Sequence, residues 1–166
     1  RGCDRHLSRS HDAGSGRQIW HFRRARTAGI AGNAALGFNR GVAVSGNRVF
    51  MLTDNAHMIA LDRSTGSLVW ETEMADSRLN YNGTCAPLVV GNLVISGLSG
   101  GDEGIRGQLN AYDAATGAHV WRFWSIPDVK NRPKDDWIGR ALEHGCGAAW
   151  LTGTYDPETD SLIWPI

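Results

Sequence analysis

The sequence predicts an all-β protein made of about three blades of a β-propeller that does not close its ring. Three observations lead there: a segment that repeats at a spacing near fifty residues, strand-like runs between its copies, and no convincing helical period. Asp12-Ala-Gly-Ser-Gly-Arg-Gln-Ile-Trp20 recurs as Asp62-Arg-Ser-Thr-Gly-Ser-Leu-Val-Trp70 and again as Asp113-Ala-Ala-Thr-Gly-Ala-His-Val-Trp121. A degraded fourth copy is Asp156-Pro-Glu-Thr-Asp-Ser-Leu-Ile-Trp164. Self-similarity at a fixed period is the mark of a repeat architecture, and four short antiparallel strands fill about fifty residues of one propeller blade. An ordinary β-sandwich is the alternative, but a strict repeat favours a radial or linear array. Propellers close with roughly 4–8 blades, so three read as an arc of a larger protein. The Arg1 start and the Trp164-Pro165-Ile166 end inside an apolar run point the same way.

Residues 1–11 come first and lack apolar alternation, so they read as a frayed or atypical N-terminal arm. Residues 1–40 carry eight Arg against Asp4 and Asp12, a local balance of +6 within a chain of formal charge +0. That concentration reads as a solvated arm, with a partner-binding arm as the sharper alternative. Residues 12–166 are the repeat region, its copies ending near Trp20, Trp70, Trp121 and Trp164. In each copy the apolar run before the Asp (Met58–Leu61, Leu109–Tyr112) reads as a strand. Asp-x-x-Thr-Gly is turn chemistry, because the carboxylate caps local amides and Gly takes a positive φ. The segment after it alternates up to the Trp, as a half-buried strand does. Val42–Leu52, Leu88–Ser96 and Ala148–Thr154 are further strand candidates, with turns at Gly46-Asn47 and Gly91-Asn92. Asp136–Glu143 is at most one or two helical turns.

Composition narrows the function classes. Zero net charge gives no general pull toward nucleic acid or an anionic membrane, and no run of apolar residues is long enough for a spanning helix. The chain contains no charged-then-apolar export signal. Cys3, Cys85 and Cys146 form no Cys-x-x-Cys pair, and the six His show no His-x-x-x-His spacing, which argues against a His/Cys metal site. Cys85 and Cys146 lie among small apolar residues and read as buried free thiols.

Several stretches resemble the pyrroloquinoline quinone (PQQ)-dependent alcohol dehydrogenases, quinoproteins built on an eight-bladed propeller with docking tryptophans. The repeat by itself marks only the broader superfamily of PQQ-like propellers, which also holds non-enzymatic members such as outer-membrane assembly lipoproteins. More specific are Asn39-Arg-Gly-Val-Ala43, Thr84-Cys-Ala-Pro-Leu-Val-Val90, Ser99-Gly-Gly-Asp-Glu-Gly-Ile-Arg-Gly107 and His144-Gly-Cys-Gly-Ala-Ala-Trp150. They occur in the family's order, and the resemblance covers residues 12–166.

The resemblance implies a site for a flat, tricarboxylated ortho-quinone. Trp150 would be its stacking floor, Arg40 its cationic fork, Thr84 and Ser99 its hydroxyl donors, and Gly100 and Gly101 its close-range amides. Asp102 aligns with a Glu that binds Ca²⁺ in the family, with Glu103 as the alternative ligand; a lanthanide is equally compatible with hard oxygen donors. Arg106 reads as a structural residue pairing with an acid. Ala34-Ala35 stands where many members carry a cysteine pair, and Ala148 where methanol-oxidising members often have Thr. The family's next metal ligand and its Asp base follow Trp-Pro-Ile, so no catalytic residue is expected in this chain, and the chain alone is expected to give no turnover. The resemblance further implies a periplasmic enzyme that oxidises a small alcohol and passes electrons to a cytochrome or similar acceptor. The competing reading is a non-catalytic propeller that serves protein–protein interaction.

Overall fold

The computed structural model describes residues 5–25, 27, 38–127 and 142–166. Ala34-Ala35, Cys3 and most of Asp136–Glu143 lie outside them. Among the described residues twelve strands come in four antiparallel sheets, three blades' worth. Strands β1 (Arg5–His11) and β2 (Gln18–Ala25) form a hairpin. Strands β3 (Ala43–Ser45), β4 (Arg48–Leu52), β5 (His57–Asp62) and β6 (Leu68–Glu73) form a four-stranded sheet in sequence order. The same pattern repeats in β7 (Leu88–Val90), β8 (Leu93–Gly97), β9 (Gln108–Asp113) and β10 (His119–Trp124). A last hairpin pairs β11 (Thr154–Asp156) with β12 (Ser161–Ile163). The four sheets do not close on themselves, as expected for part of a propeller.

Alternation explains how the sheets pack. In an extended strand successive side chains point to opposite faces. Phe50, Leu52, Met58 and Ala60 face one way and meet Val94 and Tyr112 of the next sheet and Cys85 and Leu98 of the loops beside it. Val49, Met51, Ile59 and Leu61 face the other way and meet Trp20 and Phe22 of the β1–β2 hairpin. One sheet over, Ile95, Leu109 and Ala111 gather with Ala149, Leu162 and Trp164. The inner strands β4, β5, β8 and β9 are therefore buried on both faces, whereas outer β6 and β10 are half-buried or exposed along their length.

The repeated Asp-x-x-Thr-Gly segment is the turn between the last two strands of each sheet. The Asp62 carboxylate accepts the amides of Ser64 and Thr65 at 2.9 and 3.0 Å, and Gly66 N–H donates to the Asp62 carbonyl at 2.8 Å. Asp113 repeats this with Ala115, Thr116 and Gly117. In the fourth copy the glycine position is Asp160, which still takes the turn's positive φ, +50°. The Ser64 and Thr116 hydroxyls hold the Asp62 and Asp113 carboxyls below the ordinary 3.8. Both groups therefore stabilise the fold fully above that value, and lose the contribution as pH falls through their lower folded values.

The same turn receives the preceding repeat's tryptophan. Trp20 Nε1–H donates to the Arg63 carbonyl at 2.7 Å, and Trp70 Nε1–H donates to the Ala114 carbonyl at 3.2 Å. Arg63 and Ala114 occupy the same repeat position, directly after the Asp. Each indole lies flat against the turn glycine: a Cβ on Gly117 would stand 2.7 Å from Trp70 and 2.8 Å from Thr72 Oγ1.

Two expectations need correction. Arg5–His11 is not a frayed arm but strand β1, in backbone register with β2 from Arg5↔Ala25 to His11↔Gln18; edge pairing runs through main-chain groups and needs no apolar alternation. Ala148–Thr154 is not a strand: the strand begins at Thr154, and the preceding residues run irregularly into the site. The repeat strands also continue past their tryptophans, to Ala25, Glu73 and Trp124.

The docking contact has a measurable signature. Gly117→Ala, with φ +74° and the indole behind it, should destabilise by roughly 2–4 kcal/mol. Gly91→Ala, with φ +57° and nothing within 4 Å, should cost only about 1 kcal/mol. Urea unfolding of both variants separates the contact from the backbone term.

Candidate functional site

The residues singled out in the sequence converge on one cavity of about 600 Å³, lined by Arg40, Thr84, Ser99, Gly100, Gly101, Asp102, Glu103, Cys146, Gly147, Ala148, Trp150 and Ile166. They reach it from loops. Arg40 precedes β3 and Thr84 precedes β7, while Ser99–Glu103 joins β8 to β9 and Trp150 precedes β11. In an antiparallel sheet the entry to β7 and the exit from β8 lie at the same end, so Thr84 and Ser99 are brought together by topology. Their hydroxyls are in short hydrogen-bond contact, and both side chains are buried.

Arg40 is fixed at its backbone, where its N–H donates to the Thr84 carbonyl at 2.9 Å. Asn39 shapes this entry: its Oδ1 accepts Gly41 N–H at 2.8 Å, and its Nδ2 donates to the Leu52 carbonyl at 2.9 Å. The Arg40 guanidinium lies over the Trp150 ring, 4.7 Å from its centroid. Trp150 itself is 43% exposed, so a broad indole face and a planar cation are presented together. The arrangement suits a flat anionic ligand: an aromatic face for stacking and a guanidinium fork for carboxylates.

The cradle opposite is built without side chains. Gly100 has φ +122°, and a Cβ there would come within 2.2 Å of the Asn80 carbonyl oxygen; one on Gly101 would meet Cys146 Sγ at 2.7 Å. Asp102 and Glu103 follow in the 3₁₀ turn Gly101–Glu103, which Gly104 ends in the left-handed region. Both residues line the cavity. Among the described residues no group of three His, Cys, Asp or Glu is close enough together to hold a metal, so the chain brings two hard oxygen donors but not a full protein shell.

Two sequence readings change here. Cys85 is buried as expected, with Sγ 3.0 Å from Ser96 Oγ and its thiol pushed up by burial. Cys146 is exposed and lines the cavity. Its backbone takes φ +66°, and its N–H and carbonyl are tied to Ile105 and Gly107 at 3.1 and 2.8 Å, which turns its side chain out of the core. Arg106 is structural, but its partners are not acids: Nε and Nη2 donate to the Ile126 carbonyl at 3.1 and 2.9 Å, and the guanidinium stacks 4.2 Å from the Trp124 centroid. Cys146 was hidden in the sequence by its setting among small residues; its place between Gly145 and Gly147 was the available signal.

A family model described as outer membrane protein assembly factor BamB matches residues 4–134. Quinohemoprotein alcohol dehydrogenase ADH IIB of Pseudomonas putida is 35% identical over 168 residues, covering 91% of this chain and 24% of that protein. Lanthanide-dependent methanol dehydrogenase of Methylacidiphilum fumariolicum is 36% identical over 144 residues, covering 76% of this chain and 24% of that protein. A solved europium-containing methanol dehydrogenase superposes with a TM-score of 0.80 at 28% identity, over 95% of this chain and 32% of that one. The chain thus spans about a quarter of the length of these two curated relatives.

The two thiols check the geometry directly. Iodoacetamide should modify Cys146 in the folded protein and Cys85 only after unfolding in urea, read by peptide mass mapping; early labelling of Cys85 would contradict its burial.

Proposed function

The chain belongs to the PQQ-repeat β-propeller family, on the side that holds the quinoprotein alcohol dehydrogenases, and from that premise we propose that its cavity binds PQQ beside a hard cation as part of an alcohol-oxidising enzyme. The observation that carries this reading is the convergence of Arg40, Thr84, Ser99, Gly100, Gly101 and Trp150 on one cavity. The donor set fits the cofactor: a part-exposed indole, over which the Arg40 guanidinium now lies, for its ring system, a guanidinium and two hydroxyls for its carboxylates, and Cβ-free backbone where it must approach closely. When bound, the ortho-quinone supplies a two-electron acceptor for the hydride of an alcohol.

Each residue has a task in that reading. Trp150 orients the ring by stacking, and Arg40 leaves the indole face to engage a carboxylate or quinone oxygen in the ligand plane. Thr84 and Ser99 share one hydrogen between their oxygens, so the remaining hydroxyl hydrogen is free to donate to a carboxylate. Asp102, or Glu103 beside it, contributes part of the cation's oxygen shell, calcium or a lanthanide. These are the only carboxylates among the described lining residues. We assign these residues to binding and orientation, and the hydroxyl proton to a base outside the described lining. In keeping with the family we also assign a periplasmic location and a cytochrome-like electron acceptor; no helix among the described residues is long and apolar enough to cross a membrane.

The second reading, a non-catalytic interaction scaffold, is favoured by the description of the matching family model. It leaves the Arg40–Trp150 stack and the glycine cradle without a role.

PQQ titration of the full chain, followed by quenching of tryptophan emission, tests the proposal. Trp150→Ala should weaken binding by about tenfold or more, the scale of one lost stacking contact. Because Trp150 is 43% exposed and lies outside the three core clusters, the variant should fold normally, and an unchanged Kd would overturn the assignment.

A further inference from the structure

We propose that Asn80 and Asn82 are the positioning residues of the glycine cradle, clamping both ends of the Ser99–Glu103 loop so that its amides and hydroxyl face the ligand; this rests on the reading of the cavity as a PQQ site. Neither residue lines the cavity. Asn82 holds the start of the loop: its N–H donates to the Ser99 carbonyl at 3.0 Å, and Ser99 N–H donates back at 2.8 Å. Asn80 holds the end: its Nδ2 donates to the Glu103 carbonyl at 3.1 Å. The two clamps are joined, because Asn82 Nδ2 donates to the Asn80 carbonyl at 2.7 Å.

Between the clamps lie Gly100 and Gly101, which have the widest backbone freedom of any residue and would not hold one conformation alone. The Asn80 carbonyl also fills the space where a Cβ on Gly100 would sit, so the clamp and the absent side chain fit each other. Asn80 caps the 3₁₀ turn Ser77–Leu79 in the left-handed conformation, φ +69°, which Asn tolerates better than most residues. Asn82 is fully buried, and its Oδ1 has no partner. An orphaned buried acceptor is costly, yet the amide keeps its donor side on Asn80. That orientation is what a clamp requires.

Asn80→Gly tests the idea without disturbing the cap, since glycine adopts the same φ and only the carboxamide is lost. Amide hydrogen exchange should accelerate by about tenfold in Gly100–Ile105 with β8 and β9 unchanged, and the Kd for PQQ should rise by about five- to tenfold. Combined with Ser99→Ala, the loss in affinity should be smaller than the sum of the two single losses, because both act on one loop. Unchanged exchange in Gly100–Ile105, an unchanged Kd, or strictly additive losses would each overturn the positioning role. Failure of the unaltered chain to bind PQQ would overturn the site reading and the pair's ligand role with it. The exchange measurement tells that failure from the absence of a clamp.

Discussion

The docking of Trp20 and of Trp70 on the next repeat's turn is the contact on which the rest of the structure depends. Trp20 lies on the turn of Asp62–Gly66, and Trp70 on that of Asp113–Gly117. Each indole hydrogen-bonds the same repeat position, so the contact fixes distance and rotation between neighbouring sheets together. It demands a turn residue with positive φ and no side chain on the docking face, and it demands a carboxylate to close the turn from within. Once these are met, the face of each inner strand is decided. Phe50 and Met58 must point to one neighbour and Val49 and Ile59 to the other, because every inner strand has a sheet on each side.

The site inherits its geometry from this stacking. The first strands of successive sheets are brought side by side, and Arg40, just before β3, reaches across to the Thr84 carbonyl just before β7. Residues distant in sequence, from Arg40 to Trp150, thereby share one cavity although no single sheet contains them. The loops that carry them cannot be held by apolar packing alone, because they must leave polar atoms free toward a ligand. Asparagines do the holding: the Asn39 carboxamide fixes the approach to Arg40, the Asn80 carboxamide holds the Glu103 end of the Ser99–Glu103 loop, and Asn82 pairs its backbone with Ser99. The fold thus divides its labour, with indoles setting the sheets and asparagines setting the loops.

That division decides what was legible in the sequence. The sheets were legible because turn chemistry and alternation are local: Asp62, Gly66 and Trp70 announce themselves within nine positions, and so do their counterparts. The cavity residues were legible through family resemblance, since a lone Arg40 or Ser99 has no distinguishing local pattern. Strand β1 was missed because edge pairing depends on main-chain groups and leaves no periodicity in Arg5–His11. Cys146 was misjudged because small neighbours suggest a core, whereas its left-handed backbone turns the thiol toward the cavity. Asn80 and Asn82 left no sequence signal: the Asn80 side chain bonds a backbone carbonyl 23 residues away and the Asn82 side chain one only 2 residues away, and neither follows a spacing rule.

The choice between a binding enzyme and an inert scaffold turns on what stability alone would select. A turn that needs only to connect β8 to β9 would be served by residues that tolerate ordinary backbone angles. Here the connection holds Gly100 at φ +122° against a carbonyl and leaves Asn82 Oδ1 buried without a partner, both unfavourable to the folded chain on its own. Beside them Trp150 keeps 43% of its surface in contact with solvent, with the Arg40 guanidinium over its ring. An interaction surface would place such groups on the outer rim, where a protein partner can reach them. Gly100, Arg40 and Trp150 instead line one concave pocket, with the hydroxyls of Thr84 and Ser99 at its buried wall, as a small planar anion would need. These local costs are the sort that a bound ligand offsets and that packing cannot.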